Sequence, residues 1–134
     1  MKTEKIVDND ILLAIITREE DWEKGSHFIS ADEDFQQVGL WNYDKGHVFL
    51  PHIHLSFDRK VSKTQEVIFV KSGRLKANIF SDSEALVASV ELKTGDVAIF
   101  LNGGHGYEVL DDNTRVLEVK NGPYVGKEQD RKRI

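Results

Sequence analysis

Two histidines one residue apart, His52 and His54, are the residues whose types and spacing most directly offer chemistry. In a β-strand, side chains two apart share a face, so both imidazoles point one way while Ile53 points the other. Their nitrogen donors, about seven ångströms apart along such a strand, can converge on one ion. Glu66, opening a later apolar run, and His105, in the bend Gly103-Gly104-His105-Gly106, are further candidate donors. Near the end of the chain, Glu118 and Lys120 would form an acid/base pair for proton transfer if they point inward. The preference of apolar residues for the core instead turns Leu117 and Val119 inward and leaves that pair in solvent. His47 has the wrong strand parity to join His52 and His54, and His27 receives no role.

These side chains must be positioned by strands. From Gln36 onward, short runs rich in Val, Ile, Leu, Phe and Tyr alternate with turn formers, which predicts strands over 37–43, 47–55, 66–71, 74–80, 86–92, 97–101, 107–110 and 115–120. Within two of them the alternation is clean, with Leu75, Ala77 and Ile79, then Leu86, Ala88, Val90 and Leu92, on one face that should line the core. Helical periodicity is missing, so the fold class is all-β, a sandwich or a closed barrel. Ahead of these strands, 6–17 reads as an edge strand pairing across a homodimer interface or within the chain. The acidic run Ala31-Asp32-Glu33-Asp34 reads as a loop or the cap of a helical turn, and 127–134 as a charged surface segment that Gly122-Pro123-Tyr124 can fold back over a barrel mouth.

Composition sets outer bounds. The length of 134 residues predicts one domain spanning 1–134, with an N-terminal strand and arm at 1–35, a core at 36–120 and a tail at 121–134. Eighteen basic against twenty-three acidic residues give a net charge of −5, which argues against a nucleic-acid partner. There is no cysteine, so a bound metal must take nitrogen and oxygen ligands. The run Ile11 to Ile16 is too short to span a bilayer and lacks the flanks of a signal peptide, so no membrane partner and a cytoplasmic location are expected.

The spacing resembles the two motifs of the cupin superfamily. Gly46, five residues, His52-Ile53-His54, then Glu66, six residues and Gly73 follow the first motif, and Gly95-Asp96 through Asn102 to Tyr107 follow the second. The resemblance covers about 36–120 and implies a double-stranded β-helix, or jelly-roll barrel. It also implies a divalent transition metal (Fe, Mn, Ni, Cu or Zn) held by His52, His54, Glu66 and His105, with Gln65 or Tyr107 orienting a ligand. Three features depart from the pattern: eleven residues separate His54 from Glu66, Leu101 stands where the second motif has proline, and that motif lacks a residue before its histidine and its terminal Asn. The long gap implies an inserted loop over 55–65, whose Arg59, Lys60 and Lys63 could serve as a lid or anion clamp; the alternative is a solvated hairpin tip.

The run Thr64-Gln65-Glu66-Val67 and the ending Gly122-Pro123-Tyr124-Val125-Gly126 are similar to small single-domain cupins associated with surface polysaccharide biosynthesis. What this implies is a metal-dependent enzyme acting on a small polar metabolite, a sugar or nucleotide-sugar isomerase or epimerase, with Tyr107, Glu118 or Lys120 moving the proton. An Fe-dependent dioxygenase and a non-catalytic carbohydrate-binding module are the alternatives.

Overall fold

In the computed structural model, which describes residues 1–134, the first apolar run is a hairpin rather than one strand. Strand β1 (Glu4–Asp8) returns through Asn9 and Asp10 into β2 (Ile11–Thr17). Both turn residues have positive φ, 45° and 63°, a region Asn and Asp tolerate better than most side chains. The expectation of one edge strand over 6–17 is therefore corrected. β1 alone is the edge, and β2 lies inside the sheet, buried from Leu13 to Thr17, because its unbroken apolar run suits burial on both faces.

The remaining strands are β3 (Gly25–Phe28), β4 (Gly39–Asn42), β5 (Glu66–Ser72), β6 (Arg74–Phe80), β7 (Leu86–Lys93), β8 (Val97–Phe100), β9 (Gly104–Val109) and β10 (Arg115–Lys120). All pairings are antiparallel, in a five-stranded sheet β1-β2-β8-β5-β10, a three-stranded sheet β7-β6-β9 and a ribbon β3-β4. After β5 the chain crosses between the two larger sheets at β5–β6, β7–β8, β8–β9 and β9–β10. Their inner faces share one apolar core, including Leu13 and Ile16 of β2, Ile68 and Val70 of β5, Ala77 and Ile79 of β6, and Leu92 of β7. Outside the larger sheet, Ile29 and Val38, flanking the ribbon strands, pack on a small cluster of Ile15, Ile99 and Leu101. One turn of helix, α1 (Lys127–Asp130), follows β10, and no helix is long and apolar enough to cross a membrane.

The expected core faces of β6 and β7 are buried at Leu75, Ala77, Ile79, Val90 and Leu92, while Leu86, at the start of β7, is exposed. β9 begins three residues before the expected 107–110 strand and so carries His105. The 47–55 strand is not formed. Residues 43–64 carry no helix or strand and are exposed throughout, and 48–64 make no backbone–backbone hydrogen bond. Their alternating pattern suits a strand, but no sheet edge is paired with it, and a lone strand has nothing to stabilise it. The acidic run at 31–34 forms a turn closed by the backbone N–H of Ala31 donating to the Asp34 carboxylate.

A buried ion pair ties the turn before β8 to β2. Gly95 has a φ of +90°, and a Cβ there would stand 2.2 Å from Glu19 Cγ. The fully buried Asp96 accepts hydrogen bonds from Arg18 Nη1 at 2.8 Å, from the backbone of Lys93 at 3.0 Å and from that of Glu19 at 3.1 Å. Arg18 also donates to the Glu91 carbonyl at 2.7 Å and to Glu4 at 3.1 Å. Asp96→Ala should cost about 2–4 kcal/mol of unfolding free energy, since it strands a partly buried guanidinium and removes the acceptor of two partly buried N–H groups. Asp111→Ala, whose pair with Arg74 is in solvent, should leave the denaturant midpoint nearly unchanged. Equal midpoints for Asp96→Ala and wild type would refute this role.

Candidate functional site

Glu66 ends the inner face of β5, in line with Ile68 and Val70, and is only 5% exposed. A carboxylate at the end of an apolar row needs donors, and three side chains supply them. Tyr107 Oη donates to Glu66 Oε1 at 2.7 Å. His105 Nε2 and Lys120 Nζ each lie 3.3 Å from Glu66 Oε2. His105 and Tyr107 reach it from the opposite sheet because β9 pairs them with the buried Ile79 and Ala77 of β6, on the inward face. Phe100 of β8 stacks on the His105 ring, with centroids 4.4 Å apart.

The register of β10 places Lys120 opposite Glu66 and Glu118 opposite Ile68, so both charged side chains share the inner face. The expectation that Leu117 and Val119 turn inward is corrected: they are exposed, on the outer face of an edge strand. The inward side of β10 borders a polar cavity rather than apolar core, which removes the usual reason for apolar residues to face in. Lys120 Nζ also contacts Glu118 Oε1 at 3.0 Å, making a chain of charges from half-exposed Glu118 to buried Glu66.

Glu66, His105 and Lys120 of this cluster form one wall of a cavity of about 380 Å³. Thr64, the β6–β7 turn at Ser81, Asp82 and Glu84, the Gly103-Gly104 bend and the tail from Asp130 to Lys132 with Ile134 form the rest. Gly103 has a φ of +69°, and a Cβ there would stand 2.1 Å from the Phe80 carbonyl oxygen, so only glycine fits this bend. A second cavity of about 220 Å³, bordered by Lys63, Phe100 and Asn102, shares Thr64, Asp82, Gly103 and His105 with the first. Of the tail, expected at the surface, Asp130 accepts from Thr64 Oγ1 at 2.7 Å, Lys132 pairs with Glu84, and Ile134 lies against Gly104.

Burial works to raise the Glu66 pKa, but hydrogen bonds from His105 and Tyr107, with the positive charges of His105 and Lys120, outweigh it and hold the carboxyl down at about 2. Burial, and then the adjacent Glu66 charge, pushes the Tyr107 phenol far above its ordinary value. The hydrogen bond to Glu118 and the charge of Glu66 raise Lys120. At neutral pH the centre therefore holds an ionised carboxylate, a protonated phenol and an ammonium. In the neutral imidazole, donation from Nε2 of His105 to Glu66 leaves the lone pair on Nδ1.

Of the four metal ligands implied by the resemblance, the structure brings together Glu66 and His105. His52 and His54 lie in the exposed 43–64 segment, their rings 4.9 Å apart and His52 Nδ1 3.3 Å from the Leu50 carbonyl. No group of three or more His, Asp or Glu side chains is placed to hold a metal ion, and the Lys120 ammonium faces the Glu66 oxygen nearest His105. In this arrangement the residues do not fit a metal ion. Gln65 orients no ligand: its amide oxygen accepts from the backbone N–H of Phe35 and Gln36, fastening the 34–36 segment. In the 55–65 loop, Arg59 lies over the Phe57 ring and Lys63 bonds to Asn102. Asp82, Glu84, Asp130, Arg131 and Lys132 carried no sequence signal, since turn and tail charges read as solvated.

Neither a family model, nor a curated protein, nor a solved structure matches the chain.

Because Glu66 has a folded-state pKa below its ordinary 4.5, its ion pairs contribute stability above pH 4.5 that is lost as pH falls toward about 2. In chelator-treated protein, the stability advantage of wild type over Glu66→Gln should be constant from pH 7 to pH 5 and shrink below it. A difference independent of pH from 7 to 3 in urea titrations would show that Glu66 is not held in this way.

Proposed function

We propose that this chain is an enzyme that moves a proton on a small polar metabolite in the cavity beside Glu66, a sugar or nucleotide-sugar isomerase or epimerase of cupin type. The observation that carries the reading is the pairing of His105 and Tyr107 with one ionised, buried carboxylate on the wall of a cavity that has a single apolar side chain in its lining. A titratable group shifted by specific charge partners and placed on a cavity wall is the arrangement that acid–base chemistry uses.

In this mechanism the low pKa of Glu66 makes it the orienting group rather than the base. It holds His105 by Nε2–H, leaving Nδ1 to take a proton from the carbon next to a substrate carbonyl. The electron pair left behind moves onto the carbonyl oxygen, which takes a proton from Lys120 on the cavity wall, while Tyr107, donating to Glu66, helps hold the orienting carboxylate in place. Return of the proton from His105 to the former carbonyl carbon, with the hydroxyl on the first carbon giving its proton back to Lys120 as it becomes the new carbonyl, gives an isomer. Return to the first carbon after the planar intermediate has turned over, with the original carbonyl oxygen giving its proton back to Lys120, gives an epimer. Glu118 balances the Lys120 charge from the solvent side.

The metal-binding form of the reading needs a second arrangement of 43–64. Two features support it: β9, which carries His105, has an unpaired edge, and Phe49, Ile53, Leu55 and Phe57 alternate with His52 and His54 as in a strand. Elemental analysis after loading with Fe, Mn, Ni, Cu or Zn should give one ion per chain, abolished by His52→Ala/His54→Ala. Zero stoichiometry for every metal would remove this form. The proposed assembly is a homodimer through the unpaired outer edge of β1, and a monomeric mass by light scattering at high concentration would exclude it.

The chemistry is tested by incubating the protein with a panel of sugars and nucleotide sugars in deuterated water. Deuterium should enter one carbon-bound position. His105→Gln should slow this by about 10²–10⁴-fold and Tyr107→Phe by less, with both variants folded. Metal-dependent oxygen uptake with Fe(II) would indicate the dioxygenase instead, and tight binding without exchange or turnover a non-catalytic module.

A further inference from the structure

The walls of the larger cavity carry charges that are nearly all engaged with one another. Lys120 is held by Glu66 and Glu118, Lys132 by Glu84, and Asp130 by Thr64. Two charged side chains are left over. Arg131, on the tail just after α1, has no side-chain hydrogen bond or ion pair, and neither has Asp82, on the turn between β6 and β7. They stand on different walls of the cavity and do not neutralise each other.

A guanidinium presents a planar fork of donors that matches the two oxygens of a carboxylate or phosphate. A free carboxylate accepts from hydroxyl groups. We infer that Arg131 is the anion-recognising group of this cavity and that the ligand is a small hydroxylated molecule ending in an oxyanion, a phosphate monoester or a carboxylate. Its anionic end lies on Arg131 and its hydroxyl-bearing carbons lie toward Asp82. This deepens the proposed function and rests on it for the identity of the reacting end, which lies at His105, on the wall it forms with Glu66 and Lys120.

The tail that carries Arg131 also gives the anion a way in. Its polar ties, Thr64 to Asp130 and Glu84 to Lys132, are at the surface, and Lys132 is 78% exposed. Such surface ties contribute little each. Its apolar tie is Ile134 against Gly104. An oxyanion bridging Arg131 to the cavity therefore adds a contact that fastens the tail, and specificity and closure come from the same residue.

The test is calorimetric titration of the full chain with glucose 6-phosphate, glucuronate, inorganic phosphate and glucose. Glucose 6-phosphate or glucuronate should bind at least about tenfold more tightly than glucose, and which of the two does so identifies the oxyanion. Arg131→Gln should remove that preference, and Arg131→Lys should keep part of it. Lys132→Gln should alter affinity by less than about threefold. The inference is overturned if glucose binds as tightly as both anionic probes, if no probe binds, if Arg131→Gln binds like wild type, or if Lys132→Gln loses as much as Arg131→Gln. Binding is the readout throughout, so an inactive but correctly binding protein would count against the proton-transfer reading alone, and unchanged binding by Arg131→Gln against this inference alone.

Discussion

A carboxylate removed from water beside an apolar core must be met by donors, and the packing of this molecule around Glu66 follows from that constraint. The residue continues the row of Ile68 and Val70, so apolar contacts between the two larger sheets give way at this end to hydrogen bonds. Tyr107 and His105 cross from β9, and Lys120 comes from the neighbouring β10. Removing any one donor leaves the others holding a charge that the core cannot solvate. The same polar end is where a cavity opens, because β5, β9, β10 and the bends beside them leave side chains there that cannot pack as a dry core. Stability and chemistry thus draw on one group of side chains. Asp96 is different: its donors come from Arg18 and two backbone N–H groups, it borders neither of the two cavities, and its role is to fix a turn.

Much of the strand framework is legible in the sequence because its determinants are local. The limits of β6 and β10 follow from turn formers and alternation, and those of β5, β7 and β8 fall within a residue or so of the expected ones. Glu66, His105 and Tyr107 are recoverable for a related reason, since strand parity places His105 and Tyr107 on one face whichever strand they pair with. The facing of Glu118 and Lys120 is not recoverable this way. It depends on the register against β5, a tertiary fact, and on the polarity of what lies opposite. The hairpin at Asn9-Asp10 was written in the sequence as a short polar dipeptide between apolar runs, but the stronger apolar run after it suggested one continuous strand.

The least legible part is also the least satisfied. Residues 43–64 hold Val48, Leu50, Ile53, Leu55 and Phe57 in solvent, each more than 60% exposed, with a backbone that makes almost no internal hydrogen bonds beyond its first few residues. Only its start is organised: Trp41 stacks on Phe49 at 4.5 Å and Tyr43 on His47 at 3.8 Å, extending the outer face of β4. A sequence with period-two alternation and β-branched or aromatic residues has the local preferences of a strand, and local preference without a paired edge is insufficient. That separates the two sources of the candidate donors. Glu66 is held by sheet pairing on both flanks of β5 and His105 by the pairing of β9 with β6, whereas His52 and His54 belong to a segment whose conformation nothing in the core dictates.

The polar cavity connects these observations to the tail. An apolar cavity would be closed by burying surface, and a closing segment would need several large apolar side chains. Here Ile134 is the only apolar residue in the lining, so hydrophobic burial cannot be the main force holding the tail in place. Its remaining ties are ion pairs and hydrogen bonds in contact with water, which are weak and easily exchanged for bonds to a ligand. A charged residue on such a segment therefore responds to what the cavity contains. An oxyanion bound at Arg131 in the proposed way would therefore tie the tail's position to the charge of the cavity contents, while the Glu66 cluster is buried and cross-braced between sheets by residues outside the tail.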